Sequence, residues 1–246
     1  LGLGGSATND AGAGMLQALG VRFLDAQGRS VAWGGAALAS LVQMDLSQLD
    51  ARLADIRIQV ACDVDNPLCG VRGASAVFGP QKGATPAQVT QLDAALAHFA
   101  SVVVQQTGRD IANIAGAGAA GGMGSGLMLL PHAQLQSGVQ IVAEAVRLAE
   151  RVRDADLVIT GEGRMDGQSV HGKTPIGVAR VAKQFDKPVI AIVGSLGDDY
   201  RCVYDHGVDA VFPIIRQLVS REEIFLHAQE NLISGAENIA RLYQLL

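Results

Sequence analysis

From about residue 155 onward, short apolar runs alternate with helical spacing. The runs cover 156–160, 188–193 and 209–213, and a helical pattern over 175–185 separates the first two. Apolar strands divided by helices are the pattern of a parallel βαβ sheet buried on both faces, so this part reads as half of a doubly wound domain. Gly161 and Gly194 then fall at the carboxyl ends of strands, where open α/β sheets bind their ligands. A last helix over 221–246 carries an apolar stripe through Ile224, Leu232, Ile239 and Leu242.

The preceding part, residues 1–152, has a different texture. A glycine loop runs into a helix at 11–19, a second helix is expected over 35–44, and the spacing predicts a strand at 56–62. A long loop leads to Thr85, followed by a helix over 86–105, a second glycine-rich loop at 116–126 and a helix over 139–152. The division into 1–152 and 153–246 therefore follows the change of pattern rather than a flexible linker, because residues 151–156 are charged.

Composition narrows the class. The chain has 246 residues, 49% hydrophobic and 17% charged, enough to fill a core without disulfide staples. Its net charge of −5 and scattered lysines and arginines lack the basic stripe that a phosphate backbone demands, so nucleic acid is not the expected partner. No apolar stretch is long enough to cross a bilayer, so no membrane partner is expected either. Three cysteines, Cys62, Cys69 and Cys202, match neither a redox pair nor a zinc site, and a reducing cytoplasm is the simplest setting. Glycine, at 30 residues, is in excess, about 12% against an average near 7%.

Some of that glycine sits where chemistry is expected. Gly2 to Asp10 enters a helix directly, and glycines let backbone N–H groups approach an anion at a helix N-terminus. Ordinary capping by Thr8, Asn9 or Asp10 explains part of the pattern, but not the cluster of glycines. Cys62-Asp-Val-Asp-Asn-Pro-Leu-Cys-Gly70 follows a predicted strand, and residues two apart on a strand share a face. Asp63 and Asp65 would then project together, able to hold Mg²⁺ or to accept a hydroxyl proton; an Asx-turn ending at Pro67 would use only one of them. In Phe78-Gly-Pro-Gln-Lys-Gly83 a rigid turn presents Lys82 as a ligand or as an exposed lysine. Gly116 to Gly121 contains a GxGxxG match, but it follows no strand, so a dinucleotide site is not expected; a loop over a small ligand and a close-packed crossing both remain open.

The densest chemistry lies between Thr160 and Pro175. Gly167 to Thr174 satisfies GxxxxGKT, yet six residues separate Thr160 from Gly167, and no strand ending in a magnesium-binding aspartate is visible, which argues against a P-loop NTPase. A polar loop remains that holds Glu162, Arg164, Asp166, His171 and Lys173. That is more ionisable groups than a connector needs.

Taken together, Gly4-Gly-Ser-Ala-Thr-Asn-Asp-Ala-Gly12, Cys62 to Gly70, Phe78 to Gly83, Gly116 to Gly121, and Thr160 to Arg164 with Gly172 to Pro175 resemble the bacterial glycerate kinase family. The resemblance spans nearly the whole chain and rests on five motifs in order. It implies two α/β domains, one flavodoxin-like and the other inserted into it, with residues 1–152 most of the insertion and 153–246 the returning half. It also implies ATP-dependent phosphorylation of D-glycerate, with 2-phosphoglycerate the favoured product, Mg²⁺ as cofactor and a homodimer as an allowed assembly. The family's acidic glycine motif DGGEGT does not occur here, which leads us to expect an N-terminal segment outside this chain, and an inactive fragment is a competing expectation. On this mapping Asp63 and Asp65 position Mg²⁺ or the glycerate hydroxyl, while Arg164 and Lys173 neutralise the carboxylate or the transferring phosphoryl. Gly4, Gly5, Ser6, Thr8, Asn9, Asp10, Lys82, Gly118, Gly121, Glu162 and Asp166 are the expected substrate- and phosphate-binding set, flanking an interdomain cleft.

Overall fold

Residues 1–170 and 172–245 are described by a computed structural model. They divide into two units, Leu1–Gly138 and Val139–Leu246. His171 lies outside the described residues.

The N-terminal unit contains α1 (Ala13–Ala18), β1 (Arg22–Leu24), β2 (Gln43–Asp45), β3 (Ile58–Ala61), α2 (Ala74–Phe78), α3 (Pro86–Thr107), α4 (Ala119–Leu127) and β4 (Ala133–Gln136). Its core is built on α3. Thr85 caps that helix in a reciprocal capping box with Gln88, Pro86 occupies the first turn, and Gly108 ends it with φ 71°. Leu96, Phe99, Ala100 and Val103 recur at helical spacing and are buried. Phe99 packs against Phe23 of β1 with ring centroids 6.1 Å apart.

β1 and β2 pair antiparallel, with Phe23 opposite Met44. β3 and β4 pair parallel, with Val60 opposite Leu135. The chain's first residues extend this small sheet: Gly2 bridges Ala61 in parallel, the Leu3 amide donates to the Ala61 carbonyl at 2.9 Å, and the Ala61 amide donates to the Leu1 carbonyl at 2.7 Å. Three parallel segments thus end at one edge, and the 4–10 loop, the 62–67 loop and Ser137–Gly138 all leave from it.

The second unit takes in α5 (Gly138–Ala145) from its second residue, α6 (Leu148–Arg153), β5 (Val158–Met165), α7 (Thr174–Lys183), β6 (Val189–Leu196), β7 (Ala210–Pro213), α8 (Arg221–Leu226) and α9 (Ala228–Tyr243). β5, β6 and β7 form a parallel sheet in that order. Val189, Ala191 and Val193 face α7 and are fully buried with Ile176 and Ala179. The other face is only partly covered: Ile159 is 54% exposed, so the expectation of a sheet buried on both faces holds for the α7 side alone.

The mixed α/β class with parallel strands stands as expected. Several boundaries differ for local reasons. Residues 35–40 form a short 3₁₀ turn before β2 instead of a long helix, and Gly35 at its start lies so close to the Asn9 carbonyl that a Cβ would stand 2.0 Å from it. The helix expected over 139–152 breaks into α5 and α6 at Arg147, whose φ is 53°. Val152 of α6 belongs to the second core, so the division by packing comes ahead of the expected residue 152. The final helix is two helices, broken at His227. Among the described residues no helix is long and apolar enough to cross a membrane.

Candidate functional site

The 4–10 loop leaves the carboxyl edge of its small parallel sheet, the usual position for ligands in parallel α/β arrangements. Beyond it, the chain from Thr8 to Gly12 passes through a gap lined by glycine. A Cβ on Gly121 would lie 1.9 Å from the Thr8 carbonyl, one on Gly122 2.8 Å from Ala11 Cα, and one on Gly126 2.4 Å from the Ala11 carbonyl. Gly121, Gly122 and Gly126 therefore serve a close crossing, the second of the two readings that the sequence left open. Gly118 likewise faces the Pro67 carbonyl, 2.2 Å from its Cβ position. The structure sets both Gly118 and Gly121, expected as ligand contacts, against protein backbone. Gly4 and Gly5 differ: a Cβ on either would meet nothing within 4 Å. Their lack of side chains is not used for protein packing.

Asp10 caps the next helix, accepting the Gly12 amide on Oδ1 and the Gly14 amide on Oδ2, each at 3.0 Å. Lys82, on the turn Pro80–Lys82, reaches back to this loop. Its Nζ donates to Ser6 Oγ at 2.9 Å and to the Thr8 carbonyl at 2.6 Å. Among the described residues no carboxylate lies within ion-pair distance of it. Burial lowers its pKa, opposed by the field of Asp10. Beside it, Asn9 Nδ2 donates to the fully buried Ser75 Oγ at 2.8 Å, while Asn9 Oδ1 is buried with no partner. Thr8, Asn9, Asp10, Gly35 and Lys82 line a cavity of about 430 Å³.

Asp63 and Asp65 do not form the strand pair expected of them. β3 ends at Ala61, so neither is on the strand, and each takes its own partner. Asp63 Oδ1 accepts the Gly138 amide at 2.8 Å, tying two of the edge loops together. Asp65 is exposed and pairs with Arg72 at 2.8 Å. Among the described residues no group of three or more His, Cys, Asp or Glu side chains is placed to hold a metal ion, and the pair expected to hold Mg²⁺ is split between two separate partners. The two aspartates do not fit such a centre.

In the second unit the chemistry sits on a strand and the turn after it. β5 runs to Met165, well past Thr160, because Glu162 pairs with Val193 and Arg164 with Ser195 of β6. Only Asp166 then separates the strand from Gly167, so the spacing argument against a P-loop does not hold. Residues 167–170 form a 3₁₀ turn, and Lys173 Nζ is already held by Glu162 Oε1 at 2.9 Å and by Asp166 Oδ1 at 3.6 Å. Its pKa is raised, chiefly by the hydrogen bond it donates to Glu162. Arg164 Nε lies 3.5 Å from Asp166 Oδ2. Ser169, fully buried, donates to Glu162 Oε2 at 2.9 Å and accepts the Asp166 amide at 3.1 Å. A separate, larger cavity of about 970 Å³ lies against the less covered face of the sheet, apolar through Ile159, Ile192 and Phe225, with Arg164 and Arg221 on its walls.

The sequence profile of the glycerate kinase family matches residues 1–244. The chain belongs to the glycerate kinase family. It is 62% identical over 242 residues to the glycerate kinase of Haemophilus influenzae, covering 98% of this chain and 64% of that protein. To the glycerate 2-kinase of Escherichia coli it is 52% identical over 240 residues, covering 98% and 63%. A crystal structure from Salmonella typhimurium LT2 carrying the name glycerate kinase 2 superposes with a TM-score of 0.78 at 51% identity, covering 99% of this chain and 63% of that one. The chain thus spans just under two thirds of the length of these glycerate kinase relatives.

Within this family member, sequence reasoning missed Ser75, Ser169, Arg72 and Gly138. Ser169 had a signal, a hydroxyl amid a run of ionisable residues. Ser75 had none, because it meets Asn9 across 66 positions of chain.

Proposed function

We propose that this chain serves ATP-dependent phosphorylation of D-glycerate, with 2-phosphoglycerate the product, in the cytoplasm. The observation that carries this reading is Lys82. It is a half-buried cation with no carboxylate partner among the described residues, closed onto the glycine loop of a glycerate kinase family chain. Desolvation raises the energy of its charged form, and an anionic ligand compensates.

Phosphoryl transfer asks a protein mainly to position its substrates and to balance charge. In the N-terminal unit, Lys82 binds the anion, the open Gly4–Gly5 backbone lets it come close, and Asp10 holds the helix start in place. In the C-terminal unit, Arg164 and Lys173 are the cations that would meet phosphate, with Glu162 and Asp166 fixing them until it arrives. The cavity bounded by Ile159, Ile192 and Arg221 has the mix of apolar wall and guanidinium that a nucleotide takes. ATP supplies the transferred phosphoryl group. No step is assigned to a protein-held Mg²⁺, because Asp63 and Asp65 do not assemble a centre for it.

The test is a coupled ADP-release assay on D-glycerate, with the position of the product phosphate read by phosphorus NMR. Glycerate-dependent ADP release supports the reading. ATP hydrolysis indifferent to glycerate, abolished by Lys173→Ala, would favour the NTPase alternative instead.

A further inference from the structure

The two lysines of the candidate sites are in opposite electrostatic states. Lys173 is compensated by Glu162 and Asp166, whereas Lys82 has only hydroxyl and carbonyl acceptors around its ammonium. The charge available in the N-terminal cavity is therefore one cation, offset in part by the field of Asp10. A nucleoside triphosphate would bring several negative charges to this single ammonium. A small monocarboxylate brings one. Asn9, which also lines this cavity, has its Nδ2 committed to Ser75 and its Oδ1 buried without a partner. A buried acceptor without a donor is costly, and a ligand hydroxyl is the donor that would complete it.

Resting on the kinase reading, we propose that this cavity is the acid subsite. The ammonium of Lys82 pairs with the carboxylate of a small hydroxy acid, and Asn9 reads one of its hydroxyls. Asn9 is a specificity-determining residue in this assignment, and the nucleotide is held elsewhere. The glycines suit it as well, since Gly34 and Gly83, both with positive φ, leave open space where side chains would stand.

The test is direct binding to the whole chain, by titration calorimetry and ligand-observed NMR, of D-glycerate, propionate and ATP separately. Glycerate is expected to bind at least about tenfold tighter than propionate, because a site built for a hydroxyl rejects the analogue lacking it. In Asn9→Ala that ratio should fall by at least about threefold, while an unchanged ratio overturns the role of Asn9. Lys82→Gln should weaken both acids about tenfold or more and leave ATP unchanged, while Lys82→Arg, which keeps the charge, should stay within about threefold of wild type. If Asn9→Ala fails to fold, the Lys82 pair decides by itself. Retained acid binding in Lys82→Gln, or loss of ATP binding with the acids intact, overturns the assignment, as does failure of the folded chain to bind either acid. The two proposals fail separately. Acid binding without ADP release sinks the kinase reading and leaves the subsite, whereas ADP release with an unaltered glycerate KM in Lys82→Gln sinks the subsite and leaves the kinase.

Discussion

Replacing Gly121 by alanine tests whether Gly121, Gly122 and Gly126 are there to let the 8–12 segment pass. Two costs are expected. Gly121 has φ +72°, a conformation that disfavours an L side chain by about 1–2 kcal/mol. Its Cβ would also stand 1.9 Å from the Thr8 carbonyl, which is backbone and cannot rotate away, and overpacking of this kind costs about 1–3 kcal/mol. Together these give roughly 2–5 kcal/mol. Gly28 is the control: its φ is also +72°, but a Cβ there meets nothing within 4 Å, so Gly28→Ala carries only the conformational part. The difference of about 1–3 kcal/mol corresponds to a melting temperature roughly 2–12 °C lower for Gly121→Ala than for Gly28→Ala. Thermal unfolding followed by circular dichroism measures both. Melting temperatures within about 1 °C of each other would refute the crossing. Because Thr8 carries a contact to Lys82, Gly121→Ala should also weaken acid binding, whereas Gly28→Ala should not.

Three further outcomes follow from other parts of the chain. Phe99→Ala removes a fully buried ring from the α3 core and should cost about 3–5 kcal/mol in urea unfolding, far more than any exposed substitution. Burial first, and then the charge of Asp93, push the Cys69 thiol from 9.0 up to about 12, so the native protein should carry about a thousandfold less thiolate there, and alkylation followed by mass spectrometry should find Cys69 slow until the chain is unfolded. Lys173 has a folded pKa above its ordinary 10.5, so its contribution to stability is complete below that value and is lost as pH climbs through the higher folded one; Glu162→Gln should flatten this alkaline loss in a pH series of unfolding midpoints.

Much of the fold was legible because local signals agreed. The Thr85 capping box, Pro86 and Gly108 bound α3 nearly where spacing predicts it, and the apolar runs at 188–193 and 209–213 became β6 and β7 with small shifts. β5 was underestimated, since Gly161, Glu162, Gly163 and Arg164 look like loop and are made strand by pairing with β6. The glycines at 116–126 carry no mark that tells a ligand from a passing backbone, as both demand the same missing Cβ. Lys82 and the 4–10 loop were legible as candidates because a cation on a rigid turn and a glycine cluster are unusual. Their contact was not, with 76 positions between Ser6 and Lys82. The shared face expected for Asp63 and Asp65 rested on a strand to residue 62, but the strand stops at Ala61, and the two-residue period has no force beyond a strand's end.

The extension of β5 fixes a distance as well as a secondary structure. Glu162 and Arg164 are two residues apart on a strand, so the sheet acts as a ruler that spaces their attachment points by roughly 6.6 Å along it. The partner strand holds that spacing, and rotamer changes alone adjust what lies beyond it. Inserting or deleting one residue between Val158 and Glu162 would exchange the faces to which the downstream residues point, turning the carboxylate away from Ser169 and Lys173. One-residue length changes should therefore be tolerated before Val158 but not between Val158 and Lys173, where Ser169 and Lys173 must still reach Glu162, so point substitutions rather than indels are the route by which this strand's chemistry can be altered.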